Sequence, residues 1–368
     1  MFADGYEPTP LRTGYEQVVA HRTSDIFAAT AEQDGKVVSV SKQSVVIEYK
    51  DGEKLHVELG KRHGTAAGVT YPHEVVTDLK EGSKVKAGDI VAYNKKFFTP
   101  DHLNPGQVVW KGGVMCRTAL IDNIDTLEDG SAISQEAAKK LTTQTTETRT
   151  VEVRFDQYVH DLVKEGDHVD IDSILCTIED PETAENQLFD DAAMDTLRRL
   201  SAMTPRAKVT GTVSRVEVFY HGEFEDLSEN LQTLAVASDR KRKRRAKALG
   251  EPAFTGQVDT SFRIKGKALD PDTVALRIYI DHDVGAAVGD KGVFGNQMKT
   301  VFSRVMTGTN TTESGEPIDA VFGNTSIEDR IVLSPKLMGT TNALLYALSK
   351  HIAAVYRGTT DVRNKEKS

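Results

Sequence analysis

Cysteine is almost missing from this chain: Cys116 and Cys176 are the only two in 368 residues. Two thiols so far apart in sequence cannot build a disulfide framework, which excludes the small stapled secreted folds and suits a reducing compartment. Both lie in apolar, strand-like runs and are expected to be buried. Long apolar runs are missing too, and none approaches the roughly 20 residues of a membrane-spanning helix. The opening "MFADGYEPTP" has an early acidic residue and no hydrophobic segment, so a secretory signal is not expected. A cytoplasmic protein with no membrane partner follows as the expectation. An excess of cations is also lacking, with 46 Lys and Arg against 55 Asp and Glu and a net charge of −9. That excludes a nucleic-acid binder that is basic all over, but not a local basic channel, because counterion release depends on the charges at the contact.

The familiar catalytic signatures are absent as well. There is no G-x-S-x-G elbow, no Walker loop and no H-E-x-x-H pair. The ten histidines are scattered and none stands at metal-ligand spacing from a cysteine, so no metal site is expected. Asp170 and Asp172, two apart in "HVDIDS", read as neighbours on one face of an exposed strand.

What is present is strand signal. "GKVVSVSKQSVVIEYKDGEKLHVEL" (35–59) alternates apolar and polar residues, breaks at Asp51-Gly52 and resumes, which reads as a hairpin. "LKEGSKVKAGDIVAY" (79–93) has a near copy in "LVKEGDHVDIDSILCTI" (162–178). Without a third copy, these read as two similar β-hairpins in barrel-like modules and not as a solenoid. Helical periodicity appears at 129–141, at 181–200 and at 334–358, the last ending on a glycine cap. The fold class is therefore mainly β with a few helices. The terminal "RNKEKS" is expected to fray.

Two cationic stretches stand out. In "DRKRKRRAKALGEP" (239–252), Arg240, Lys241, Arg242, Lys243, Arg244, Arg245 and Lys247 are seven cations in eight positions. They read either as a solvated face or as a contact to phosphate or an acidic partner. In "GDKGVFGNQMKTVFSRV" (289–305), Lys291 and Lys299 flank a turn signal inside a strand–loop–strand pattern. Gly289, Gly292 and Gly295 let the backbone turn or approach a ligand closely. Two ammonium groups on a folded-back loop can converge on one anion.

The second stretch resembles the β subunit of multisubunit RNA polymerases, which carries a run of the type G-D-K-M-A-G-R-H-G-N-K-G-V-V-S-K-I. Laid on it without gaps, Gly289, Asp290 and Lys291 match the start, Lys299 falls on the second family lysine, and Val301, Ser303 and Arg304 continue the match. "SGEPIDAVFGN" (314–324) is similar to the family's next segment, with Gly315, Pro317, Asp319 and Asn324 matching. Segments at 11–49, in "VKAGDIVAY", at 146–178 and at 205–219 are similar in the same order, so the likeness is collinear over about residues 10–330. It departs at "VVWKGGVMCRTALI" (108–120), where Cys116 and Arg117 replace an acidic pair. It departs also at Met298 and Thr300, and Arg330 lies out of register with the family's arginine.

The resemblance implies a double-psi β-barrel with smaller β modules. Residues 1–150 would form the first part of the hybrid-binding barrel region, 151–275 a flap-like insertion holding the basic run 240–247, 276–333 the barrel's completion with the lysine loop, and 334–368 a C-terminal helix and tail. It implies that Lys291 and Lys299 contact the RNA 3′ end and nucleotide phosphates, that Arg304 and the cations of 240–247 face nucleic acid, and that Gly289, Asp290 and Gly295 shape the turn. The metal-binding N-A-D-F-D-G-D run of the family's β′ partner does not occur here. Mg²⁺ would be held by that partner, and the chain, a split bacteriophage-type fragment, would act only with β′-like and other subunits on a DNA template and RNA–DNA hybrid. Host cytoplasm or the virion would then be its location. Two alternatives remain: a non-catalytic β-like virion component or polymerase-docking regulator, and a biotinyl-carrier turn modified at Lys299.

Overall fold

The computed structural model describes residues 3–180, 203–264, 266–295 and 297–358. The helix expected at 181–200 and the terminal "RNKEKS" lie outside them. The chain is mainly β, with 39% strand and 21% helix. None of its sheets closes into a barrel. No helix among the described residues is long and apolar enough to cross a membrane. The chain divides into two compact units, each drawn from separated segments: residues 1–32, 88–143 and 284–368, and residues 33–87 and 144–283.

In the first unit a five-stranded sheet runs in the order Thr118–Leu120, Ala320–Phe322, Gly130–Ser134, Met298–Met306, Lys291–Phe294. Gly130–Ser134 lies parallel to Met298–Met306 and antiparallel to Ala320–Phe322. Here the sequence expectation of a helix over 129–141 is corrected. Residues 130–134 are a buried central strand, and the helix is confined to Gln135–Lys140, where Ser134 Oγ accepts the Ala137 N–H at 3.0 Å. Pairing on both edges outweighs the local helical period, as tertiary context commonly does for short apolar runs.

In the second unit the strands Val69–Val76, Thr143–Arg154, Thr273–Val284, Gly211–His221 and His168–Val169 form one sheet, with Gly60–Ala66 paired on Val69–Val76. Its core face buries Val151, Val153, Val218, Leu276 and Ile278. A smaller sheet corrects the reading of 35–59: the run holds three strands, Gly35–Val40, Ser44–Tyr49 and Lys54–Glu58, not two. Ser41 makes the extra turn, its Oγ taking the N–H groups of Gln43 and Ser44 at 3.2 and 3.0 Å, a side-chain turn that apolar alternation cannot signal. The Asp51-Gly52 break is a turn, with Gly52 at φ 88°.

The repeated motif folds the same way twice. Gly82 (φ 83°) and Gly166 (φ 98°) each donate an N–H to a strand carbonyl, of Val37 and Val213, at 2.8 Å. Each is followed by a two-residue strand, Lys84–Val85 or His168–Val169, paired antiparallel to a strand that opens on glycine, Gly35 or Gly211. A Cβ on those opening glycines would lie 2.7 and 2.3 Å from a backbone carbonyl oxygen, so close strand approach excludes any side chain. The second copy also corrects the reading of Asp170 and Asp172. They do not share a strand face but sit in the tight turn beyond it, Asp172 at φ 68°, a conformation aspartate tolerates better than most residues.

Candidate functional site

The lysine stretch is a β-hairpin whose two faces have opposite characters. Lys291–Phe294 pairs antiparallel with Met298–Met306, setting Lys291 opposite Val301 and Val293 opposite Lys299. Residues opposite one another in an antiparallel pair share a face, and so do residues two apart along a strand. Lys291, Val293, Lys299 and Val301 therefore stand on one side, and all four are exposed. The two lysines are diagonal cross-strand neighbours, a relation that sets such positions roughly 7–8 Å apart, within reach of one phosphate group for side chains of this length.

The other face is core. Met298 and Thr300 are 1% exposed and Phe302 is 5% exposed. Met298 packs with Phe322 and Ile327, while Thr300 Oγ1 donates to the Asp129 carbonyl at 2.6 Å and lies 2.8 Å from Ser131 Oγ, whose hydroxyl can donate back to it. Gly292 completes this face, since a Cβ there would meet the Phe302 ring at 2.7 Å. The entry turn is held by Asp290, whose Oδ2 accepts the Ala287 N–H at 2.9 Å, and by Gly289 at φ 93°, which donates to the Phe302 carbonyl at 2.8 Å. At the tip Gly295 has φ 54°, and a Cβ on it would press within 2.9 Å of Pro335.

Two arginines join the hairpin differently. Arg330, out of register by sequence, is brought to it by the chain fold: its Nη1 reaches the Lys299 carbonyl at 3.5 Å and its Nη2 pairs with Asp129. That contact spans 31 positions, and no local pattern in the sequence encodes it. Arg304 stands beyond a strand irregularity and pairs with Asp125 at 3.3 Å, so part of its charge is answered within the chain. Cys116 and Arg117 form no metal-ligand set. The Arg117 guanidinium pairs with Glu316 at 2.9 Å and donates to the Pro317 carbonyl at 3.1 Å, and its backbone N–H donates to Asp319 at 2.8 Å. Burial pushes the Cys116 thiol up to about 11, and the Cys176 thiol likewise. Among the described residues no group of three or more His, Cys, Asp or Glu converges as a metal site.

The second cationic stretch, in the other unit, lies on the helix Glu229–Leu249, which ends on Gly250 at φ 68°. Leu231, Ala235, Ser238 and Ala246 form its buried face. Three of the seven cations are engaged by the chain itself. Arg242 lies 4.5 Å over the Phe219 ring and donates to Asp239 at 2.7 Å and to the Val218 carbonyl at 2.8 Å. Arg245 grips Glu58 with two bonds of 2.5 and 2.9 Å, and Lys241 pairs with Glu165 at 2.8 Å. These three are corrected from candidate nucleic-acid contacts to internal ties, since a cation spent on a carboxylate offers little to a phosphate. Arg240, Lys243, Arg244 and Lys247 remain, exposed and without an ion pair among the described residues. Their spacing of three, four and seven places them on one helical stripe opposite the buried face.

With this geometry in hand, comparison with known proteins adds no relative: no family model matches the chain and no curated protein is significantly similar to it.

Proposed function

We propose that the chain is a β-like subunit of a multisubunit DNA-directed RNA polymerase, in which Lys291 and Lys299 hold phosphates of the RNA 3′ end and the incoming nucleotide. The observation that carries this reading is the shared open face of the two lysines on a hairpin whose other face is locked in the core. Met298 and Thr300, the two departures from the family motif beside Lys299, both point inward, so they alter packing and leave the cationic face as the motif requires. The mixed five-stranded sheet, with strands distant in sequence lying parallel, supports assigning the hairpin to the double-psi barrel region.

The chain's part in phosphoryl transfer is electrostatic positioning. Two ammonium groups suit phosphate oxygens and repel a divalent cation, so these residues do not fit a Mg²⁺ site. The metal chemistry of nucleotide addition would come from carboxylates of a β′-like partner. Purifying the chain from its native source should bring down a chain carrying those carboxylates, in an assembly that extends RNA on a DNA template. Recovery in an assembly with no RNA synthesis would favour the non-catalytic β-like alternative, to which Arg117 in place of an acid already lends weight.

The stripe Arg240, Lys243, Arg244 and Lys247 is assigned to the nucleic-acid backbone. Four phosphate contacts predict a salt-dependence slope near −3.6 for duplex DNA, or about −2.8 for single strands. Replacing all four by Gln should flatten the slope of oligonucleotide binding by about that amount. The matched replacement of Lys241 and Arg245 should leave it almost unchanged. A slope unmoved by the fourfold change would make the stripe a solvated face.

A further inference from the structure

Ile331 is 90% exposed and holds its φ at 54°. Six non-glycine residues have positive φ among the described residues, and Ile331 alone of them is β-branched; the others are Ala67, Glu128 and three aspartates. A β-branched side chain in the left-handed region is a genuine outlier, and with that side chain in water no packing rewards it. Such strain persists only where the flanking structure imposes it, and it gathers at clamps and switches.

The flanking structure is the tip of the lysine hairpin. On one side of Ile331, Arg330 pairs with Asp129 and reaches the Lys299 carbonyl at 3.5 Å. The Asp129 carbonyl takes the Val301 N–H at 2.9 Å, so Asp129 and Arg330 hold the same short stretch of strand. On the other side, Ser334 Oγ donates to Gln297 at 3.3 Å and Pro335 lies against Gly295. Residues 330–335 therefore cross the hairpin tip pinned at both ends, with the strained residue between the pins. The helix that follows, Ser334–Tyr356, buries none of its 23 residues, so no core of its own anchors the far end. We infer that residues 330–335 are a strap poised to open, in which the strain at Ile331 works against the pins and sets how firmly the tip bearing Lys299 is held. Opening returns Ile331 to ordinary backbone and removes the outside tie on Lys299. The strap acts on the hairpin of the polymerase reading, but it stands whether or not that hairpin serves RNA synthesis.

The test is amide hydrogen exchange of the full chain, read at Gln297 and Lys299, whose N–H groups are bonded within the tip at 3.3 and 3.1 Å. Variants at 330 and 331 leave the sequence of that peptide untouched, and exchange there reports local opening. Ile331→Gly should slow it about fivefold, the left-handed penalty relieved less the freedom glycine adds to the open strap. Ile331→Asn should slow it in part, and Ile331→Val, still β-branched, should not. Arg330→Gln should speed exchange about threefold, as expected for an exposed ion pair. In the R330Q background I331G should bring no further slowing, because an unpinned strap lets Ile331 relax without help. Exchange of the strand Gly211–His221 in the other unit should be the same in every variant. Tip exchange in I331G as fast as in the parent overturns the proposal. So does equal slowing by I331V, or slowing by I331G that survives in R330Q, since either makes position 331 independent of the strap.

Discussion

Lys299→Ala is expected to abolish RNA elongation by a reconstituted complex while leaving subunit assembly unchanged. Lys299 is exposed, and its neighbours Met298 and Thr300 supply the hairpin's core contacts, so the truncation removes charge and little packing. Loss of one preorganised group that stabilises developing charge typically costs about 10²–10³ in rate. The measurement is single-nucleotide addition on a preassembled RNA–DNA scaffold. The lost activity should appear as a lower maximal rate, because the interaction strengthens as charge builds on the transferring phosphate. Lys299→Arg should recover part of it and Val293→Ala none of the loss. Full-rate synthesis by the alanine variant would end the catalytic reading and leave the hairpin's lysines as surface charge. A biotinyl-carrier role for Lys299 is separated by mass alone, since the modified chain would be heavier than its sequence.

The largest stability effect lies elsewhere, at Asp281 in the second unit. This carboxylate is 5% exposed on the strand Thr273–Val284. It accepts bonds from Lys61 at 2.6 Å, Thr146 Oγ1 at 2.7 Å and Ser214 Oγ at 3.0 Å, with His63 Nε2 at 3.7 Å. Burial alone would push its proton affinity up. The bonds from His63, Lys61 and Thr146 outweigh that and hold the carboxyl well below the usual carboxylate range. Asp281→Ala strands the buried Thr146 hydroxyl and a partly covered ammonium and takes one partner from the half-buried Ser214 hydroxyl, which should cost about 3 kcal/mol and lower the melting temperature by roughly 6–12 °C. A folded-state pKa below the unfolded value means the contribution is present above pH 3.8, the ordinary value, and is lost as pH falls below it. The parent should therefore lose stability on acidification more steeply than the alanine variant. Equal melting temperatures at neutral pH would show that the hub contributes nothing.

The features legible in the sequence were the local ones. A period of two along a strand assigns faces regardless of what the strand packs on. Hence Lys291 and Lys299, eight apart across a turn, were readable as a converging pair once the stretch was recognised as strand–loop–strand. Gly358 follows its helix at φ 71°, a position a local stop signal marks, whereas the helix Glu229–Leu249 was not read from its sequence. The twin Lys-Glu-Gly motifs make the same turn because positive φ at one glycine is a property of four or five residues.

What only the tertiary structure decided was which groups are already answered. Seven cations look alike in a row, yet Arg245 meets Glu58 across 187 positions and Arg242 meets the Val218 carbonyl, while Arg240, Lys243, Arg244 and Lys247 meet nothing charged among the described residues. Residues 130–134 became a strand because Met298–Met306 and Ala320–Phe322 flank them, and only the fold shows that no residue of the helix Ser334–Tyr356 is buried. Backbone periodicity is set by neighbours in the chain; pairing and burial are set by neighbours in space, and the two coincide only where a segment's partner lies next to it in sequence.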